Sequence, residues 1–420
     1  MNHQISAEIL TIGDEILFGQ ITNTNAQWMS EQLSLLGIRV LHQTTIGDTA
    51  TTIQNALQTA FERVNLVLIT GGLGPTKDDI TKKVLADFFD SEMQIHEEAL
   101  TFLSAFFEKR GRELTELNRL QALLPVKCQY LPNRLGTAPG MWFEKEGKVF
   151  VAMPGVPFEM KALMTEQVIP RLKSYFKPPV IFHKMIRTIG IPESVLAARI
   201  EQWEDNLPPH IRLAYLPSPG QVKLRLTATG TQQETLCQEV QQQINAVLPL
   251  IERYVYGYDQ DVIAQKVGEM LLQQGKTIAT AESCTGGYIG HMITEIAGSS
   301  AYFLGGIISY SNTVKMQTLG VKPETLSQYG AVSEQTAKEM AIGVRNTLKS
   351  DVAIAATGIA GPSGGTEEKP VGTVWIAYSD AQKTVAKKLQ LTQDRSLNIQ
   401  LTGINALNWV RLCMLNIEQE

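Results

Sequence analysis

The sequence predicts an α/β protein of three domains, and three observations carry that prediction. Strand-like apolar runs alternate with helical stretches over the first 170 or so residues, the pattern changes after Pro178-Pro179, and it restarts with an amphipathic helix from Asp259. A chain of 420 residues, 44% hydrophobic and 19% charged, has apolar material for several packed cores. We divide it at 1–173, 174–258 and 259–420.

In the first segment ISAEILTIG reads as a buried strand and TNTNAQWMSEQLSLLG as a helix with Thr or Asn at its start and Gly37 at its end. IRVLHQTT, ATTIQNALQTAFERV and NLVLIT continue as strand, helix and strand. This order predicts a mostly parallel sheet whose ligands lie beyond the carboxyl ends of the strands, where Gly13-Asp14-Glu15 and Gly71-Gly72-Leu73-Gly74 fall. A further strand, KVFVAMPG, precedes the helical FEMKALMTEQVIPRL. The middle segment reads as strand, helix (PESVLAARIEQW), two strands joined at PSPG, helix (QQETLCQEVQQQINAVL) and strand, a small α+β domain without a concentrated motif and suited to a spacer or assembly role. In the last segment the helix DVIAQKVGEMLLQQG ends at Gly275, and KTIATAE, GGIISYS, DVAIAAT and GTVWIAY are four strands separated by helices such as SEQTAKEMAIGVRNTLK.

Composition narrows the function. No run of about 18 apolar residues spans a bilayer, and the N-terminus lacks a signal-peptide pattern, so we expect a cytoplasmic protein with no membrane partner. The four cysteines show no CxxC spacing, which fits a reducing compartment. The net charge of -5, with Lys and Arg spread along the chain, speaks against a nucleic-acid partner and favours small-molecule chemistry.

Ser283 follows the strand KTIATAE and precedes Gly286-Gly287, which open a helix through YIGHMITEI. A hydroxyl at such a junction can attack a substrate with backbone donors close by; its bland role, and that of Thr285, is to cap the helix. The C-terminal segment holds one histidine, His291, eight positions further along the same helix and about 12 Å away at 1.5 Å per residue, too far to serve as the base. Lysine can replace it when burial or a nearby cation lowers its pKa, and Lys315 follows GGIISYS in Tyr310-Ser311-Asn312-Thr313-Val314-Lys315, with Tyr310 able to bond to either partner. A second glycine-rich strand end, ATGIAGPSGG at 356–365, can meet a phosphate or carboxamide oxygen, with Thr357 bonding the substrate. Arg395 is a fork for a substrate phosphate, a cation holding Lys315 neutral, or a surface ion-pair partner. Cys284 is the weaker rival nucleophile, because its side chain should point away from that of Ser283.

The segments TAESCTGG (280–287), IAGSSAYFLGG (296–306), SYSNTVK (309–315), GAVSEQTAKEMA (330–341), ATGIAGPSGGTEEKPVGTVW (356–375) and DR (394–395) together resemble the CinA family, whose C-terminal domain is similar to stand-alone nicotinamide mononucleotide deamidases. The resemblance implies Ser283 as nucleophile and Lys315 as base. It sets Tyr310, Thr357, Arg395, Gly286, Gly287 and Gly358 around the substrate, with Ser300 assisting. The implied reaction converts nicotinamide mononucleotide to nicotinic acid mononucleotide and ammonia, with no metal or cofactor. A homodimer is expected on the same ground.

In the first segment the carboxylates Asp14, Glu15, Asp78 and Asp79 sit on strand-end loops, where such groups can hold a hard cation against a pyrophosphate; Asp78 or Asp79 can equally cap the helix ITKKVLADFF. GDEIL, TNTN (22–25), TGGLGPTKDD (70–79) and MPGVPFEM (153–160) resemble the molybdopterin-binding fold at the front of CinA proteins. The resemblance implies an ADP-ribose pyrophosphatase that yields AMP and ribose 5-phosphate with Mg²⁺ or Co²⁺ and with K⁺ as a candidate helper. It sets Gly71, Gly72, Gly74 and Asn25 against the substrate, and Asp79 matches the acidic residue that closes the glycine loop. Leu73 stands where molybdenum-cofactor proteins carry Thr, which counts against a pterin substrate. The alternatives are a non-catalytic nucleotide or pterin binder at the front of the chain, or a competence or DNA-damage accessory factor.

Overall fold

The computed structural model describes residues 5–76 and 79–417. The chain divides into two compact units, Met1–Phe182 with Thr229–Leu236, and His183–Ala228 with Cys237–Glu420.

In the first unit the strands are β1 (Ser6–Ile12), β2 (Arg39–Ile46), β3 (Leu66–Thr70), β4 (Met93–Ile95), β5 (Leu123–Pro125), β6 (Gln129–Leu131), β7 (Gly140–Lys145) and β8 (Lys148–Met153). Six of them form one sheet in the order β2-β1-β3-β8-β7-β6. The expected parallel core is present in β2, β1, β3 and β8. It is extended by an antiparallel edge, β7 and β6, which the sequence pattern did not announce. Alternate residues of β1 serve opposite faces: Ala7 and Ile9 pack with Met29 and Leu33, while Leu10 and Ile12 pack with Ile53 and Leu57. Each face therefore carries a helix, Thr24–Leu35 on one and Ala50–Arg63 on the other.

The middle segment forms β9 (Val180–Ile189), β10 (Ile211–Ser218), β11 (Gln221–Gly230) and β12 (Val255–Tyr258) in the order β10-β11-β9-β12, with the helices Glu193–Asp205 and Gln233–Ile251. Trp203 Nε1 on the first helix donates to the Gln243 carbonyl on the second at 3.1 Å. The small α+β architecture expected there is the one present.

The C-terminal segment forms β13 (Ile278–Glu282), β14 (Phe303–Ile308), β15 (Val352–Gly358), β16 (Thr373–Ser379) and β17 (Thr384–Gln390). Their order is β14-β13-β15-β16-β17, with β14, β13 and β15 parallel and the last two antiparallel. Four strands match those expected. The fifth, β17, escaped because it is an edge strand interrupted by two lysines, and the helix Arg395–Met414 that follows it had not been foreseen. That helix packs on one face of the sheet with the helix Ile263–Gln273. The helix Glu334–Leu348 covers the other through Ala337, Met340, Ala341 and Val344. Since β13 lies between two parallel neighbours, the loops leaving its carboxyl end and theirs surround one crevice.

Candidate active site

Glu282 is the last residue of β13, and strand alternation sends its side chain to the face occupied by the helix Tyr288–Thr294. There its carboxylate accepts from Gly287 N (2.9 Å), Ile289 N (3.0 Å) and Gly290 N (2.8 Å). These are the amides that an N-cap would satisfy. The helix therefore has no need of the Ser283 or Thr285 hydroxyl: its first-turn position is held by Gly287 in the left-handed region (φ 102°), and no side chain of that residue or Ser283 caps it. Glu282 went unnoticed in the sequence because capping residues usually lie just before a helix, and this one lies five positions earlier across a turn.

Freed from capping, Ser283 turns to the opposite face from Glu282. Its Oγ lies 3.0 Å from Lys315 Nζ. Lys315 sits in the first turn of the helix Asn312–Leu319, whose N-cap Ser311 accepts from Val314 N. A helical side chain leans toward the N-terminus, which carries the amine back to the carbonyls of Ser309 (2.7 Å) and Tyr310 (3.4 Å). The residue is only 1% exposed, and burial lowers its pKa from the ordinary lysine value, against a raising contribution from Cys284. In the neutral amine two N–H groups serve the two carbonyls, and the lone pair is left to receive the Ser283 proton.

The other expected residues divide. Tyr310 bonds neither Ser283 nor Lys315 through its ring: it is 64% exposed, and its hydroxyl accepts from Arg395 Nη2 at 3.2 Å. Arg395 also donates to the Gly361 carbonyl at 2.9 Å, so it joins the Tyr310 segment to the glycine-rich loop after β15. The lowered pKa of Lys315 comes from burial, so the role of a cation holding that lysine neutral does not fall to Arg395. Thr357 is buried and donates to the Ala331 carbonyl at 2.8 Å, fastening β15 to the loop before the helix Glu334–Leu348. A Cβ at Gly358 would strike Val374 and the Thr373 carbonyl, so this glycine is explained by strand packing. Gly286 is left-handed (φ 61°), with open space where a Cβ would stand.

Ser300 corrects an expectation. It lies before β14, whose Phe303 pairs with Ile278 at the start of β13, while Ile308 pairs with Glu282 at the end. Some 16 Å of strand separates Ser300 from the Ser283 end of the sheet in the same chain. Cys284 is buried on the Glu282 side of the sheet with Ile289 and Ile293, and burial pushes its thiol up to about 12. Such a thiol is inert at neutral pH. The sequence did not single out Ser309, whose buried Oγ has no hydrogen-bond partner among the described residues; Thr285, considered there only as a cap, has a buried hydroxyl in the same condition.

A second candidate site lies in the first unit, a cleft of about 450 Å³ at the carboxyl ends of β1, β3 and β8. Asn23 caps the helix Thr24–Leu35 by accepting from Ala26 N, which places Asn25 in the cleft wall. Asn25 Nδ2 donates to the Gly155 carbonyl at 2.7 Å, while its buried Oδ1 has no partner among the described residues. Gly71 has φ 111°, and a Cβ there would run into the Ile12 carbonyl; at Gly72 and Gly74 a Cβ would meet Thr81 and Asp79. Asp79 caps no helix, since the helix Thr81–Phe88 has Ile80 at its N-cap. Its Oδ2 instead accepts from the Thr76 amide (3.0 Å) and hydroxyl, closing the glycine loop.

The expected metal ligands Asp14, Glu15 and Asp79 do not gather: among the described residues no group of three or more His, Cys, Asp or Glu side chains could hold a metal ion. Asp78 lies outside the described residues. Asp14 faces Asp48 instead, and its pKa is raised by desolvation, by the Asp48 charge and shared hydrogen bond, and by Glu15. Glu15, Asp48 and Glu159 line the cleft. Lys82, buried behind the glycine loop, donates to the Leu120 carbonyl at 3.2 Å; burial brings its pKa down to about 8 despite the Asp79 charge.

The fold and the first site define a class: a multidomain α/β protein that carries a buried serine–lysine pair at the end of a parallel strand. Family comparisons agree in all three segments. A "probable molybdopterin binding domain" model matches residues 8–174, a "damage-inducible protein CinA KH domain" model residues 183–257, and a "CinA C-terminal domain" model residues 260–414. A CinA-like protein of Cytophaga hutchinsonii is 51% identical over 411 residues, 98% of each chain, and one of Flavobacterium psychrophilum is 44% identical over 95% of this chain and 98% of its own. A solved structure of competence/damage inducible protein CihA from Agrobacterium tumefaciens is 38% identical, covering 37% of this chain and 94% of its own, with a TM-score of 0.35. The chain belongs to the CinA family, with a molybdopterin-binding-like domain, a KH-like domain and a CinA C-terminal domain in that order.

Proposed function

We propose that the C-terminal domain is an amidohydrolase that deamidates nicotinamide mononucleotide. The observation that carries this reading is the 3.0 Å approach of Ser283 Oγ to a buried Lys315 amine whose remaining donors have carbonyl partners. Lys315 takes the Ser283 proton as Oγ bonds to the carboxamide carbon, and the Cys284 and Thr285 N–H groups are the turn's candidates to face the developing oxyanion, since those of Ser283, Gly286 and Gly287 are bonded to the Ala356 carbonyl, the Ser283 carbonyl and Glu282. The C–N bond then breaks, the nitrogen leaving as ammonia with the proton from Lys315. Water, deprotonated by the same amine, attacks the acyl-enzyme and releases nicotinic acid mononucleotide and the free serine. Arg395, exposed at the rim, is placed to accept the ligand phosphate in exchange for the Tyr310 hydroxyl. Incubation with nicotinamide mononucleotide should release ammonia and nicotinic acid mononucleotide in equal amounts, and Ser283→Ala or Lys315→Ala should stop both. Full activity in either variant rejects the pair.

The cleft of the first unit favours a second activity, hydrolysis of ADP-ribose to AMP and ribose 5-phosphate. Asp14 and Asp48 present two carboxylates that share a hydrogen bond, an arrangement a divalent cation can enter in place of the proton, and Glu15 lies beside them. Those two carboxylates, with water and the pyrophosphate oxygens completing the shell, would hold Mg²⁺ or Co²⁺, which would supply charge neutralisation of the pyrophosphate. Asn25 and the amides of the Gly71–Gly74 loop are the chain's own donors and acceptors for the nucleotide. Asp48→Asn should raise the Mg²⁺ concentration needed for half-maximal ADP-ribose cleavage; binding of ADP-ribose without AMP release would make this domain a binder. Residues 183–257 contain no G-x-x-G segment, the loop by which KH domains clamp nucleotides, which supports small-molecule chemistry over a nucleic-acid role.

A further inference from the structure

The cleft of the first unit has a carboxylate on its far wall that neither the glycine loop nor the Asp14–Asp48 pair employs. Glu159 lies on the helix Pro157–Leu163, which follows β8, and lines the cleft. One of its oxygens is pinned. Oε2 accepts from Asn133 Nδ2 at 2.7 Å, and a Cβ at Gly136 would collide with the carboxylate, so the loop 133–138 is folded closely around it. Asn133 is 2% exposed and has its hydrogen-bonding capacity fully engaged: Nδ2 also donates to the Ala138 carbonyl (2.9 Å), while Oδ1 accepts from Leu135 N (3.1 Å) and Gly136 N (3.2 Å). An amide bonded on every side cannot turn, and it fixes the carboxylate with it.

For tying the helix to the loop a neutral amide would serve as well as an acid, since Asn133 uses a single acceptor oxygen. The charge and the second oxygen are left over. Among the described residues Glu159 has no Lys, Arg or His partner, and Oε1 accepts no hydrogen bond. A carboxylate oriented this firmly on a cleft wall, with one oxygen unengaged, is built for a donor that enters the cleft.

The sheet order says what that donor is. Asp48 and Asp14 follow β2 and β1, the glycine loop follows β3, and Glu159 follows β8, in a sheet that runs β2-β1-β3-β8. With neighbouring strands about 4.8 Å apart, β8 lies roughly 10 Å from β1 and 14 Å from β2. Glu159 accordingly forms no metal-binding group with Asp14, Glu15 and Asp48. A pyrophosphate laid against the glycine loop, its cation on the Asp14 side, therefore carries a sugar toward Glu159. Phosphate oxygens would be repelled there, whereas adjacent hydroxyls bring the protons that a carboxylate oxygen accepts.

We propose that Glu159, oriented by Asn133, forms a ribose subsite in this cleft and accepts from the vicinal hydroxyls of the ligand. The inference rests on the reading of the cleft as a site for ADP-ribose, which offers two such sugars. It makes Glu159 a determinant of specificity, because a ribose that carries a phosphate on its diol would meet the carboxylate charge.

The test measures binding to the full-length protein by calorimetry with Mg²⁺ present, using the α,β-methylene analogue of ADP-ribose, which is not cleaved. Glu159→Gln keeps the oxygen that Asn133 holds and replaces the other by a group that cannot accept. Wild type should bind the analogue, and the variant should bind it roughly tenfold more weakly, the loss of one charge-assisted hydrogen bond. Inorganic pyrophosphate has no sugar and should bind both proteins equally, which also checks that the variant is folded and that its cation site is intact. Titrations with AMP and with ribose 5-phosphate tell the two sugars apart: the product whose affinity falls in the variant carries the ribose that Glu159 holds. Equal binding of the analogue by both proteins would overturn the subsite and leave the ADP-ribose reading standing. An equal loss with pyrophosphate would overturn it too, by making Glu159 a prop for the cation or the fold. A wild type that binds no analogue would remove the ADP-ribose reading, and the subsite with it.

Discussion

A buried lysine that meets three oxygens has two forms available, and Lys315 is useful only in one of them. The neutral amine can take a proton and the ammonium cannot, so kcat/KM for nicotinamide mononucleotide should rise with pH and level off above a pKa below the ordinary lysine value of 10.5. The sign for stability follows from the same shift. The native state binds fewer protons than the unfolded chain between the lowered pKa and 10.5, so stability rises with pH through that window and the charged amine is a burden below it. A rate profile that stays flat from about pH 6 to 10 would remove Lys315 as the base. Cys284 gives the complementary prediction: its thiol is pushed up to about 12, so Cys284→Ala should keep kcat within about threefold of wild type. Glu282→Gln trades a carboxylate for an amide at three backbone donors, and should cost about 1–3 kcal/mol in urea unfolding while lowering kcat through displacement of the turn that holds Ser283.

At the scale of elements, both sites arise at carboxyl ends of parallel strands, and glycines let chain and strand cross there. Gly71→Ala is the sharpest case, since φ 111° is unfavourable for an L-residue and the added methyl would meet the Ile12 carbonyl rather than a movable side chain. It should destabilise the first unit by about 2 kcal/mol or more in denaturant unfolding, and a wild-type midpoint would show that the loop can shift. Much at this scale was legible in the sequence. Apolar runs located β1, β3, β8, β13, β15 and β16, because residues buried on both faces leave an unbroken apolar signature, and the edge strands β2 and β14 were found from shorter apolar runs between helices. β17 was not found, since an edge strand has one solvated side and its polar residues mask the pattern, and the inner strand β7, buried over most of its length, was not found either. The helix Arg395–Met414 was hidden for the opposite reason: buried around much of its circumference, with Asn398, Thr402, Asn408 and Arg411 inside, it lacks an amphipathic stripe.

For the second unit as a whole, Arg411 is the fastener between the last helix and the turn leading into β12. Arg411→Leu removes the donors of two carbonyls, and should cost about 2–4 kcal/mol and speed amide exchange in β12; unchanged exchange would mean that apolar contacts alone hold that junction. Among the described residues no helix is long and apolar enough to cross a membrane. By itself the sequence determined the α/β class, the order of three segments, the position of Ser283 after a strand and the candidacy of Lys315, because strand and helix periods and strand-end loops are local properties. Tertiary structure decided the rest. It gave the helix cap to Glu282 and thereby released Ser283, brought Lys315 across 32 positions to 3.0 Å, left Ser300 at the far end of β14, and set Asp48 rather than Asp79 beside Asp14. Each of those outcomes depends on which strands become neighbours and which face a side chain takes, and on how much water is excluded when they meet, and none of these is a property of a short stretch of chain.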